Sequence, residues 1–346
     1  MAIFTVLISH SLAFLPEKFN VIHHLIFDGV LVFFVLSGFL IGRIFIKQFE
    51  HQINIVEIFK FWKRRWLRTL PAYFFTILLI VLLSPFLGLV FDKKEIIRTI
   101  FFIQNLTYRH GAFFPESWSL SIEEWFYLAL PVSTMFFSLL FRRNIKLIVS
   151  LVAFLVIVGS LCFRYFISQH RSIISIYEWD YNLRCAVITR LDSLMIGVLG
   201  AWFYHYKNQL FFKYKEKVLV LGLILFLTNK FLISFEVLTF AGFYMKVVYF
   251  TVLPLSILLM MPFVYYLNPV KINLSIILLF KGSLISYSLY LLNLTIVSLI
   301  ILSPLQINHW YKFFLFWFLS IIFAVLMYKY IEIPFMKLQD KKAIKK

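Results

Sequence analysis

The 346-residue chain is 62% hydrophobic, with 43 phenylalanines and only 14% charged residues, more apolar surface than a soluble domain of that length can bury. Its formal charge of +18 comes from lysines and arginines gathered between apolar runs, the pattern of a membrane protein's inside loops, and this excludes nucleic acid as a partner. Cys162 and Cys185 stand in or beside predicted spans without CxxC or histidine-rich spacing, so they read as packing residues and imply neither a metal site nor a disulfide scaffold.

The expected fold is all-α: one polytopic membrane domain over residues 1–346, with about ten transmembrane helices, both termini cytoplasmic and a basic tail over 336–346. The chain opens in an apolar run, Met1 to Leu15, which is short for a bilayer and lacks the basic start and cleavage site of a signal peptide. The active chain is therefore expected to begin upstream of Met1. His10 is the first ionisable side chain. A second span runs from Phe27 to Ile46, with Asp28 at its entrance as a helix cap or a partner for His10, and Ser37-Gly38 as a small-residue helix contact.

Phe61 to Pro71 is basic and aromatic and precedes a third span near 72–90. Its charges hold a loop in the cytoplasm beside anionic lipid; in the sharper reading, Arg64, Arg65 and Arg68 clamp a phosphorylated ligand. Residues 92–110 are too polar to span and suit an external amphipathic segment. The stretch Trp118 to Tyr127 then puts Glu123 and Glu124 at the mouth of a span ending near Phe141. Ser119, Glu123 and Tyr127 recur every four residues and share one helical face. An acid deep in a span points to function, although an interfacial acid satisfying free N–H groups of the first turn is an equal reading.

Further spans are expected near 145–167, 184–206, 217–235, 243–266, 274–302 and 311–332. They place Arg142, Arg143, Lys146, Lys207, Lys213, Lys215, Lys217, Lys271 and the tail lysines inside. Arg190 and Asp192 carry an opposite-charge pair into a span, as a structural pair or a catalytic one. Ser286, Tyr287, Ser288, Tyr290 and Asn293 set hydroxyls and an amide along a helix, either as glue between helices or as the wall of a polar cavity.

Seven segments in order resemble the acyltransferase family 3 membrane proteins nearly end to end. These are His10, Phe33 to Leu40, Arg64-Arg65-x-x-Arg68-x-x-Pro71, Trp118 to Tyr127 with Trp125 where glutamine is usual, Arg190 to Gly197, Ser286 to Tyr290, and Glu332-x-Pro334-Phe335. Three departures stand out: the arginine that the family places before its histidine falls upstream of Met1, Leu31 stands where a polar residue is common, and Asn293 replaces a frequent histidine. No catalytic role is carried over to Asn293.

The resemblance implies transfer of an acyl group, usually acetyl, from cytosolic acyl-CoA, a co-substrate rather than a resident cofactor, to a hydroxyl of a carbohydrate. The acceptor would be polysaccharide, lipopolysaccharide or a lipid-linked glycan at the far face of a bacterial cytoplasmic (inner) membrane. A histidine with an ordinary pKa near 6.5 can take the hydroxyl proton. Glu123, with Asp28 second, is the expected carboxylate fixing its tautomer. Arg64, Arg65 and Arg68 would hold the coenzyme's phosphates, while Ser37, Trp118, Ser119, Tyr127, Arg190, Asp192, Ser286 and Tyr290 would form the substrate or structural polar network. Direct transfer is expected over an acyl-histidine intermediate. A transporter or flippase for a lipid-linked sugar or anion is the competing class, but its expected internal symmetry is not seen; a noncatalytic scaffold fits poorly with so many buried charges.

Overall fold

A computed structural model describes residues 2–16, 19, 21–22, 26–50, 53–106, 111–141, 144–235, 237–267 and 281–340. Within these, every regular element is helical. In chain order the main helices are α1 (Ala2–Ser11), α2 (Gly29–Phe49), α3 (Ile55–Leu83), α4 (Lys93–Ile100), α5 (Ser117–Leu140), α6 (Ile145–His170) and α7 (Leu191–Tyr206). They continue as α8 (Lys215–Ser234), α9 (Tyr244–Tyr265), α10 (Ser286–Leu302) and α11 (His309–Leu338).

Six of them, α2, α3, α6, α8, α9 and α11, are long and apolar enough to cross a membrane, and the protein is accordingly an integral membrane protein. Helices α1 and α10 are apolar but shorter. α5 is long, yet serines and glutamates fill its first turns, and α7 has 16 residues. Arg142, Arg143, Lys271 and residues 341–346, which contribute to the inside-charge pattern, lie outside the described residues.

Helix boundaries depart from the sequence expectation in two places that matter. The arginine cluster is not in a loop ahead of a span: α3 starts at Ile55, where Asn54 caps it by accepting the Glu57 N–H, and runs through Pro71. No breaker stands between cap and proline, so the arginines ride on one rigid helix. The span expected near 184–206 is helical only from Leu191, because Asp180–Arg184 forms a π-helical turn and an irregular segment follows. Residues 92–110 do begin as a short helix, α4, with Asp92 accepting from the Lys94 N–H at 3.0 Å.

Packing is densest between α2 and α7. Gly38 lies against the Leu194 carbonyl, and a Cβ at Gly197 would come within 2.7 Å of the Phe39 nitrogen. The small residues in both segments thus let two backbones touch, which is how helices associate where lipid removes the hydrophobic drive. This seam holds the Ser37 side of α2 toward α5 and fixes where the polar residues of α2, α5 and α10 converge.

Candidate active site

Two adjoining cavities lie among the helices. The first, of about 470 Å³, gathers His10 from the last turn of α1, Asp28 from the cap of α2, Glu116 and Trp118 from the start of α5, Arg184, and Tyr290 from α10. The second, of about 480 Å³, gathers Ser37 from α2, Arg65 and Arg68 from α3, Ser119, Glu123 and Tyr127 from α5, and Ser286 and Tyr290 from α10. Val30 and Tyr290 line both.

In the histidine cavity, His10 Nδ1 is hydrogen-bonded to Asn293 Oδ1. Asp28 caps α2 by accepting from the Val30 and Leu31 N–H groups at 3.0 and 3.3 Å, and its other oxygen accepts from Arg184 Nε at 3.1 Å. Capping is therefore the role Asp28 fulfils, and its charged partner is Arg184 rather than His10. Arg184 also bonds Asp180 at 2.9 Å and lies over the Trp118 ring at 4.7 Å. The result is a cation held by two carboxylates and an indole face, a fixed polar wall of the sort that orients a polar ligand. Glu116 is buried and takes the Thr295 N–H at 3.0 Å and its hydroxyl at 2.5 Å.

In the arginine cavity the expected shared face of α5 is present. Tyr127 donates to Glu123 Oε2 at 2.7 Å and sits 3.3 Å from Ser37 Oγ, while Ser119 Oγ lies 2.7 Å from Tyr290 OH. Tyr290 in turn donates to the Glu116 carbonyl at 3.0 Å. Arg65 and Arg68, three residues apart, both line this cavity, Arg65 half-buried and Arg68 exposed. Arg64, a third of a turn round, instead bonds Gln48 at the surface. Glu124 points elsewhere again, accepting from Trp66 Nε1 at 3.0 Å and Thr69 at 3.1 Å.

Glu123 does not orient His10. It lies a turn beyond Ser119 in the other cavity, bonded to Tyr127 rather than to free N–H groups of the first turn. The oxygen at His10 Nδ1 belongs to Asn293, a residue that the sequence places in a polar helical row without tying it to His10. A lone amide among Leu292, Leu294 and Ile296 was the available signal, since a buried amide needs partners.

Compared with known proteins, the chain is 28% identical over 341 aligned residues to a Staphylococcus aureus protein (strain COL) that carries a provisional O-acetyltransferase name, covering 90% of this chain and 53% of the relative. It is 30% identical over 191 residues to the O-acetyltransferase OatA of Staphylococcus aureus (strain NCTC 8325), covering 51% of this chain and 30% of OatA. Both likenesses are to proteins named as O-acetyltransferases. The chain spans about half the length of the first of these curated relatives. No family model and no solved structure matches it.

In the structure the motif residues fall into separate places. His10, Ser37, Arg65, Arg68, Trp118, Ser119, Glu123, Tyr127, Ser286 and Tyr290 border one cavity or the other. Asp192 does not, and the pairing expected between it and Arg190 is not formed. Asp192 bonds Arg164 of α6 at 2.8 Å with both side chains fully buried, and Thr251 donates to the same carboxylate at 2.8 Å. Arg164 completes its valences on the Val247 and Thr189 carbonyls. Arg190 lies over the Phe250 ring at 4.4 Å, its Nε without a hydrogen bond among the described residues. Two residues apart at the start of α7, Arg190 and Asp192 face different neighbours. Glu332, the acid of the closing motif, accepts from Ser288 and ties α11 to α10.

Proposed function

We propose that the chain transfers an acetyl group from acyl-CoA, taken up from the cytoplasm, to a hydroxyl of a cell-surface or lipid-linked carbohydrate, with His10 as general base. The observation that carries this reading is the pair of adjoining cavities, one bearing Arg65 and Arg68 and the other His10, with Tyr290 in the wall of both. Guanidinium groups suit the coenzyme's phosphates. The polar and aromatic lining around His10, with Asp28, Arg184 and Trp118, suits a sugar. In the step, the sugar oxygen attacks the thioester carbonyl carbon while His10 takes the hydroxyl proton. The C–S bond then breaks, the coenzyme leaves as thiolate, and the proton returns to it from the imidazolium, so charge and atoms balance.

Ten spans with both termini in the cytoplasm follow from the same reading. The positive-inside pattern sets Arg65 and Arg68 near the cytoplasm, and the end of α1 and the start of α2 near the opposite face. In a bacterium this is the cytoplasmic membrane. The test is incubation of purified protein with labelled acetyl-CoA and candidate glycans, following the label. Label appearing on a glycan hydroxyl is expected. Free coenzyme release without glycan label, or unmodified glycan crossing a sealed vesicle, would overturn the reading in favour of a hydrolase or a transporter.

A further inference from the structure

Asn293 is fully buried on α10, at the residue where the helix changes from α to π register. Its side-chain amide donates to the Leu289 carbonyl at 2.7 Å and to the Tyr290 carbonyl at 2.9 Å. Both N–H bonds are thereby committed to oxygens that can only accept, so the third polar contact, to His10 Nδ1, is made by Oδ1. An amide oxygen cannot donate. The shared hydrogen therefore sits on His10 Nδ1. Turning the amide over would let its NH2 donate to an unprotonated Nδ1, but it would set the amide oxygen against two carbonyls and lose both N–H bonds, each unmade bond costing about 1–3 kcal/mol.

We infer that Asn293 is a positioning residue for His10, holding the imidazole as the Nδ1–H tautomer so that the Nε2 lone pair is free to accept a proton. Among the described residues no hydrogen bond engages Nε2, and His10 borders the cavity. The amide is itself held in place from both sides. Three residues earlier Tyr290 is bonded to Ser119, and two residues later Thr295 gives its N–H and hydroxyl to Glu116, so α5 clamps the α10 turn that carries Asn293. The π register coincides with this clamp, and local π turns recur at functional sites. A neutral amide here does one part of what an orienting carboxylate does elsewhere, fixing the tautomer without adding a charge beside the ring. For catalysis the inference rests on His10 being the general base; for the ring it stands alone.

The experiment reads the ring directly. Protein labelled with ¹⁵N-histidine is compared with its His10→Gln variant to assign the His10 nitrogens by NMR, next to Asn293→Ala and Asn293→Asp. Wild-type His10 is expected protonated on Nδ1 and bare on Nε2. Asn293→Ala should release the ring into a mixture containing Nε2–H and lower kcat by about 10–100-fold, with KM for acetyl-CoA changing less than about twofold. Asn293→Asp retains an acceptor oxygen toward Nδ1 but sets its other oxygen against the Leu289 and Tyr290 carbonyls, so it should keep the Nδ1–H tautomer even where its thermal midpoint falls, and tautomer and fold are read separately. A wild-type ring carrying its proton on Nε2, or an unchanged tautomer in Asn293→Ala, overturns the inference. So does a shifted tautomer with kcat unaltered, as regards rate. Should His10→Gln retain full transfer, the base reading falls while the tautomer result is judged on its own spectrum.

Discussion

His10 and the cavity-lining arginines are where single substitutions should speak most clearly. His10→Ala removes the proton acceptor but little packing, and acyl transfer should fall below about a tenth of wild type while membrane level stays near normal; transfer above that level would sink the general-base role. Arg65→Ala and Arg68→Ala should each raise KM for acyl-CoA, because both face the cavity. Arg64→Ala should leave it nearly unchanged, because that side chain bonds Gln48 outside. Equal effects at all three positions would mean bulk positive charge at the membrane surface, not a phosphate clamp. The shared face of Ser119, Glu123 and Tyr127 was legible from four-residue spacing alone. The partners of His10 and Asp192 were not, since Asn293 and Arg164 come from other helices, and spacing within one helix says nothing of how deeply its neighbour is set.

Among the elements, α7 depends on a charge pair that no membrane helix can leave half made. Removing one member of a buried pair exposes the other to an apolar surround and typically costs about 3–5 kcal/mol. Asp192→Ala should therefore lower the thermal midpoint of the detergent-solubilised protein sharply and reduce its yield, with kcat per folded molecule close to wild type. An unchanged midpoint would show that Arg164 finds other acceptors, such as the Thr189 and Val247 carbonyls it already uses. Sequence hydropathy located the apolar helices well because their length is set by the bilayer. It misplaced the start of α3 because arginines and tryptophans depress hydropathy without breaking a helix, and Ile55 to Leu70 contains no breaker. The Gly38 contact was legible as a small-residue seam; that it meets the Leu194 backbone, with Gly197 set one turn on against Val35 and Phe39, required the fold.

For the whole molecule, the charge pattern makes an orientation prediction open to direct labelling. In a chain with Cys162 and Cys185 changed to serine, cysteines at Ser172 and Gln306 should react with a membrane-impermeant thiol reagent from outside intact cells. Those at Lys63 and Lys213 should react only after the membrane is opened. Labelling of Lys213→Cys in intact cells would break the ten-span arrangement. The wall that both cavities share, Val30 with the hydrogen-bonded Tyr290, has a consequence for the cell as well as for the reaction. If one cavity is supplied from the cytoplasm and the other from outside, that wall is the insulation of an energised membrane at its thinnest point. On the proposed reading an acetyl group would cross there while protons and sodium do not, so the passage would have to open no wider than the reacting thioester, and only while the coenzyme plugs it.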